Sequence, residues 1–137
     1  MSAKKILVVD DNAVVVKTLQ MQLAKAGFEV VVATDGSEAI TAVRKQKPDL
    51  IVLDISFPPD VSSGGGIAWD GFLIMQWLRR LEEAKNTPII IITGEDPAKY
   101  RAQALKLGAT AFFSKPVDSE ELVDVVNRTL KGVAQPV

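Results

Sequence analysis

The chain of 137 residues has room for one full hydrophobic core and not for two domains, and its 47% hydrophobic and 24% charged content is that of an ordinary globule. Its 16 basic and 17 acidic residues leave a formal net charge of -1, which offers no whole-molecule attraction to nucleic acid or to an anionic membrane. With neither cysteine nor histidine, the chain excludes disulfides, thiol nucleophiles, the usual zinc sites and histidine acid-base catalysis, so any metal must be held by oxygen.

The opening Met1-Ser2-Ala3-Lys4-Lys5 leads straight into Ile6 to Val9, an apolar run far too short for a signal or membrane-spanning segment. The expected location is therefore the cytoplasm. That run reads as a buried strand ended by the acidic pair Asp10-Asp11. From Asn12 to Ala26 the apolar residues Val15, Leu19, Leu23 and Ala26 recur at helical spacing, with Asn12 or Asp11 as cap and Gly27 as stop. Phe28 to Ala33 is the next strand, its three consecutive valines favouring extended backbone.

A second helix is expected over Gly36 to Gln46, with Ala39, Ile40 and Val43 inward, and Pro48 argues against its continuation. Leu50 to Asp54 then carries four apolar residues in a row, the pattern of a strand buried on both faces, and ends in a carboxylate. Ile55 to Ala68, with Pro58-Pro59 and Gly64-Gly65-Gly66, has no periodicity and reads as a long irregular loop. A third helix opens at Trp69 or Asp70; its Arg79 and Arg80 are expected on a solvated face rather than in a nucleic-acid patch.

Ile89 to Ile92 is a strongly β-branched strand followed by Thr93-Gly94-Glu95. A fourth helix runs from near Asp96-Pro97 to Leu107 and stops at Gly108; Thr110 to Phe113 is a shorter strand. Asp118 to Leu130 is the last helix, with Leu122, Val125, Val126 and Leu130 inward, and residues 132–137 form a frayed tail. Five strands alternating with five helices imply a parallel sheet with helices on both faces, and ligands of such sheets bind beyond the carboxyl ends of the strands. Asp10, Asp11, Asp54, Thr93 and Lys115 all follow strands at those ends.

Three carboxylates gathered at one sheet edge repel one another unless a cation compensates, and a magnesium ion, with manganese as a substitute, suits oxygen donors. Lys115 adds a mobile positive charge and Thr93 a hydroxyl donor. A phosphoryl group fits such surroundings, and an ionised aspartate can be its nucleophile without a general base.

The fragments Ile6-Leu7-Val8-Val9-Asp10-Asp11, Leu50-Ile51-Val52-Leu53-Asp54, Ile92-Thr93-Gly94 and Phe112-Phe113-Ser114-Lys115-Pro116, in this order and spacing, resemble a response-regulator receiver domain over nearly the whole chain. The resemblance implies a doubly wound five-stranded parallel sheet of order 2-1-3-4-5, the flavodoxin-like order, over residues 1–131. It implies that Asp54 accepts the phosphoryl group, that Asp11 binds magnesium directly and Asp10 partly through water, and that the backbone carbonyl of Ser56 is the remaining protein ligand. Thr93 would bond the phosphoryl group and move with it, Lys115 would pair with Asp54, and Lys115-Pro116 is a candidate for a cis bond. Phe112 matches the family's switch aromatic, and Ser56 and Glu95 hold the two positions that tune phosphoryl lifetime, here expected to be intermediate.

By the same resemblance the phosphoryl donor is a sensor histidine kinase or phosphotransfer protein, and the downstream partner docks on the face from about Asp96 to Leu130, with a homodimer as a further expectation. The sequence departs from the family pattern after Pro58: Asp70-Gly71 arrives late, so residues of about 59–69 form an insertion beside the site. It reads as an inert surface loop or as a partner or lid element. Two other functions compete with the switch. One is a docking module that is never phosphorylated; the other is an aspartyl-nucleophile phosphatase, which would ordinarily want an acid where Ser56 stands.

Overall fold

Five parallel strands, β1 (Lys5–Val9), β2 (Glu29–Ala33), β3 (Leu50–Asp54), β4 (Ile89–Thr93) and β5 (Ala111–Ser114), form one sheet in the order β2-β1-β3-β4-β5. The helices are α1 (Ala13–Lys25), α2 (Gly36–Gln46), α3 (Gly71–Arg80), α4 (Pro97–Lys106) and α5 (Ser119–Leu130). The structure, a computed structural model, describes residues 4–54, 71–94, 97–115 and 117–131. The expected inserted loop, Ser56, Glu95, the Lys115-Pro116 bond and the tail lie outside the described residues.

Alternation along each strand divides the core into two layers. Leu7, Val9, Ile51, Leu53, Ile89 and Ile91 pack with Ala39 and Val43 of α2, Ile74, Met75 and Leu78 of α3 and Ala104 of α4. Ile6, Val8, Leu50, Val52, Ile90 and Ile92 point the other way, onto Leu19 and Leu23 of α1 and Leu122 and Val126 of α5. Every residue of β3 and β4 is buried, as the uninterrupted apolar runs require, whereas the outer strand β2 is mostly only half-covered. Full burial of one such aliphatic side chain is worth roughly 1.5–3 kcal/mol, more than a net hydrogen bond of about 1. This difference places β3 and β4 inside the sheet.

Local chemistry sets the helix ends. The Asn12 side chain accepts from the N–H groups of Val14 and Val15 at 2.9 and 3.2 Å, so Asn12, and not Asp11, caps α1. Asp35 caps α2 and Asp118 caps α5 in the same way. Gly27, φ 100°, and Gly108, φ 95°, take up the left-handed backbone that follows α1 and α4. Lys47 closes α2 in that region without being glycine, at φ 49°.

Three sequence expectations need correction. The inner stripe of α1 adds buried Val16 to Leu19 and Leu23, with Val15 half-covered but packed on the same layer as those two leucines; Ala26 is exposed because the helix ends at Lys25 and the chain turns through Gly27. Strand β5 spans Ala111–Ser114, one residue later than expected, although the Thr110 N–H already bonds Ile89 O at 2.8 Å. Arg79 is not on a solvated face: it is half-buried, and its Nη1 donates to the carbonyls of Ala84 and Thr87 at 3.0 and 2.6 Å. A longer contact of 3.4 Å reaches Gly108 O. Those carbonyls belong to the turns after α3 and α4, so the guanidinium ties the two turns together.

Candidate functional site

Strand register brings the chemistry to one edge. Val9 lies beside Leu53 and Asp54 beside Ile92, while Thr93 pairs with Ser114, so the residues at the ends of β1, β3, β4 and β5 emerge as neighbours. Among the described residues, Asp10, Asp54 and Thr93 are the buried polar and charged side chains, at 0%, 1% and 0% exposure. All three stand at that edge. Burial of a polar side chain costs free energy that core packing does not return, so its concentration here marks a site rather than a core.

Carboxylate oxygens of Asp10, Asp11 and Asp54 lie within 4.8 Å of one another, with Asp11 facing solvent. The Lys115 ammonium stands between two of them, 2.9 Å from Asp10 Oδ2 and 3.0 Å from Asp54 Oδ2. Asp10 is held from two sides: its N–H donates to Ala33 O at 3.1 Å, and its Oδ1 accepts from the Asn12 N–H at 2.9 Å. The Lys115 N–H donates to Thr93 O at 2.7 Å, which fixes the start of the lysine's reach.

Burial pushes the Asp10 carboxyl above its usual range, and nearby Asp54 adds to the rise. The Asn12 N–H and Lys115 offset part of it. For Lys115, burial alone would lower the affinity for its proton, but the close approach and negative charge of Asp10 and Asp54 outweigh it, and its pKa moves up. The ammonium is therefore secure, and one positive charge faces three carboxylates. Two negative charges remain in excess.

That excess is the test of whether a divalent cation belongs here. Asp10 Oδ2 is sealed from water and receives Lys115 as a charge contact without an aligned hydrogen bond, so it retains lone-pair capacity toward Asp54 and Asp11. Hard carboxylate oxygens at this separation, one of them open to solvent, fit a small oxygen-preferring ion. Phe112 lies in β5 beside Ile91, half-covered and packed against the layer that contains Ala104 and Leu107, away from the carboxylates. The bridge from Lys115 to Asp10 was not foreseen, nor was the grip of the Asn12 N–H on Asp10; the second had a visible signal in an asparagine two residues beyond a strand-ending acid.

The strand order, with helices on both faces and a polar cluster beyond the strand ends, defines the flavodoxin-like class of doubly wound α/β proteins. The response regulator receiver domain profile matches residues 6–127, and the chain belongs to that family, the receivers of two-component signal transduction and phosphorelay. It is similar to the alkaline phosphatase synthesis transcriptional regulatory protein PhoP of Bacillus subtilis, with 35% identity over 95% of this chain and 48% of that protein. It is also similar to protein PilH of Pseudomonas aeruginosa, with 30% identity over 93% of this chain and 98% of that one. Among solved structures, the chemotaxis response regulator CheY4 of Vibrio cholerae superposes with a TM-score of 0.78 at 30% identity, covering 93% of this chain and 98% of that one. The chain thus spans about half the length of the Bacillus subtilis relative and nearly all of PilH. Among the described residues, no helix is long and apolar enough to cross a membrane.

Proposed function

We propose that residues 1–131 act as one receiver unit that accepts a phosphoryl group on Asp54 from the phosphohistidine of a sensor histidine kinase or phosphotransfer protein in the cytoplasm. The observation that carries this reading is the placement of Asp54: almost wholly buried at a strand end, 3.0 Å from an ammonium and beside two further carboxylates. An Asp54 carboxylate oxygen attacks phosphorus, the phosphorus–nitrogen bond of the donor breaks, and its electron pair stays with the imidazole. A carboxylate nucleophile requires no general base.

Lys115 keeps the Asp54 side chain oriented before transfer and offers a positive charge to the arriving phosphoryl oxygens. Thr93, buried at the neighbouring strand end, supplies a hydroxyl donor to those oxygens and shifts with them. Asp10, Asp11 and Asp54, with the Ser56 carbonyl, would hold magnesium, or manganese in its place, which supplies neutralisation of the charge on the transferring group. Phe112 reports the change by its burial against α4, and the output face is that of α4, β5 and α5, from about residue 96 to residue 130. A downstream protein or a second copy of the chain docks there. Ser56 and Glu95 set an intermediate phosphoryl lifetime.

Incubation of the purified chain with magnesium and acetyl phosphate, followed by intact mass measurement, tests the proposal. The expected result is gain of one phosphoryl group, abolished by Asp54→Asn and by omission of the metal. An unchanged mass with fresh donor, or the same gain in the variant, would overturn it.

A further inference from the structure

Away from the carboxylates, a cleft of about 400 Å³ opens between α3 and α4, lined by Met75, Gln76, Arg79, Arg80, Lys106 and Leu107. Because helices in this fold run antiparallel to the strands they follow, the last turns of α3 and α4 lie toward the sheet edge opposite Asp54. Among the described residues, three of the six side chains that line it are cationic and one is an amide donor. Among the described residues none of the three cations forms an ion pair: the pairs present are Lys85 with Glu82, Lys115 with Asp10 and Asp54, and Arg128 with Asp124.

Basic residues at helix C-termini ordinarily answer the helix dipole, and this is part of their role here. Each terminus carries about half a negative charge, so two of them offset roughly one of three positive charges and leave about two in excess. Arg79 shows the same imbalance in its geometry. Among the described residues, its Nη1 is used twice by carbonyls, whereas Nη2 has only the long 3.4 Å contact with Gly108 O. The guanidinium is thus pinned by the protein while part of its donor fork is weakly used. Arg80 is exposed and stands 5.7 Å from the centre of the Trp77 ring. The guanidinium of Arg79, held by two carbonyls, loses less freedom on meeting an anion than a free surface arginine would.

We infer that the α3–α4 cleft is a binding site for a small phosphate-bearing polyanion, of the size of pyrophosphate or the phosphate chain of a nucleotide, held by Arg79, Arg80 and Lys106 with Gln76 as a neutral donor. The volume is within the range of small-ligand sites, and guanidinium forks match phosphate oxygens in pairs. Buried Met75 and half-covered Leu107 supply an apolar wall beside the charges. An occupant would touch α3 and α4 together.

The test is calorimetric titration of the full chain with inorganic pyrophosphate in buffer freed of divalent ions by resin, alongside amide chemical shifts. Arg80→Ala with Lys106→Ala is the variant, since both side chains are exposed and leave the core intact; its denaturation midpoint checks the fold. The expected result is saturable binding with shifts at Gln76, Arg80 and Leu107, weakened by about tenfold or more in the double variant. Absence of saturable binding, undiminished binding in the variant, or shifts centred on Lys115 would overturn the inference. So would tighter binding of tetraglutamate than of pyrophosphate, which would assign the cleft to an acidic protein segment.

Discussion

The two edges of the sheet spend charge in opposite ways. At the carboxyl edge, three carboxylates crowd around one ammonium, and burial raises the pKa of Asp10. At the amino edge, charges fasten loops. Arg79 bonds carbonyls of two turns, the Lys5 ammonium donates to the Gln46 carbonyl and side chain at 3.2 and 3.1 Å, and the Lys5 N–H donates to Asp49 Oδ2 at 2.8 Å. The same residue types therefore favour folding at one end and reactivity at the other. A buried group whose partners are carbonyls is satisfied; one whose partners are like charges stores repulsion that a ligand can release.

The contrast breaks most visibly at Asp54. Asp54→Asn should abolish phosphoryl uptake, read by intact mass, while leaving the fold at least as stable as before. The reverse behaviour is expected of Arg79→Ala, which takes the short bond from Thr87 O and loosens the tie between the two turns: a loss of about 1–2 kcal/mol in urea denaturation, with phosphoryl uptake by the folded fraction retained. Asp10→Asn should raise stability by about 1 kcal/mol at neutral pH without divalent ions, because it removes one of two buried like charges. The same substitution should weaken magnesium affinity by about tenfold, measured by quenching or calorimetry.

The sign with pH follows from Asp10. A carboxyl whose pKa is raised on folding binds its proton more tightly in the native state, so its ionisation lowers stability as pH rises through the range between the unfolded and folded values. Stability of the wild type relative to Asp10→Asn should accordingly improve as pH falls through that window, followed by thermal denaturation in metal-free buffer. The smallest effect is expected at the amino edge: Lys47→Gly, which relieves a left-handed backbone, should stabilise by no more than about 1 kcal/mol, since glycine also loosens the unfolded chain.

Much of this was legible before folding. Leu50 to Leu53 and Ile89 to Ile92 read as doubly covered strands, and α2 has the expected bounds Gly36 to Gln46, with Pro48 beyond its end; its Asp35 cap was not read from the sequence. The acids at the strand ends pointed to the site because parallel sheets bind ligands there. The resemblance added roles that composition and spacing do not contain. What escaped was set by distance in space rather than along the chain. Nothing near Lys115 announces that it reaches Asp10 as well as Asp54, and nothing in Arg79-Arg80 announces Lys106, because helix packing alone brings α3 beside α4. The sharing of the α1 stripe between Val15 and Val16 has a similar origin: among three successive valines, Val16 is buried while Val15 packs half-covered on the layer of Leu19 and Leu23.

The division of the interior into two layers gives β5 an unusual property. Phe112 and Phe113 are consecutive, yet the first rests with Ala104 and Leu107 beside α4 and the second with Leu122 and Val126 beside α5. A fluorine label placed on one ring and then on the other would listen to separate rooms through a shared wall, so a disturbance confined to either helix could be assigned to its side from a single strand.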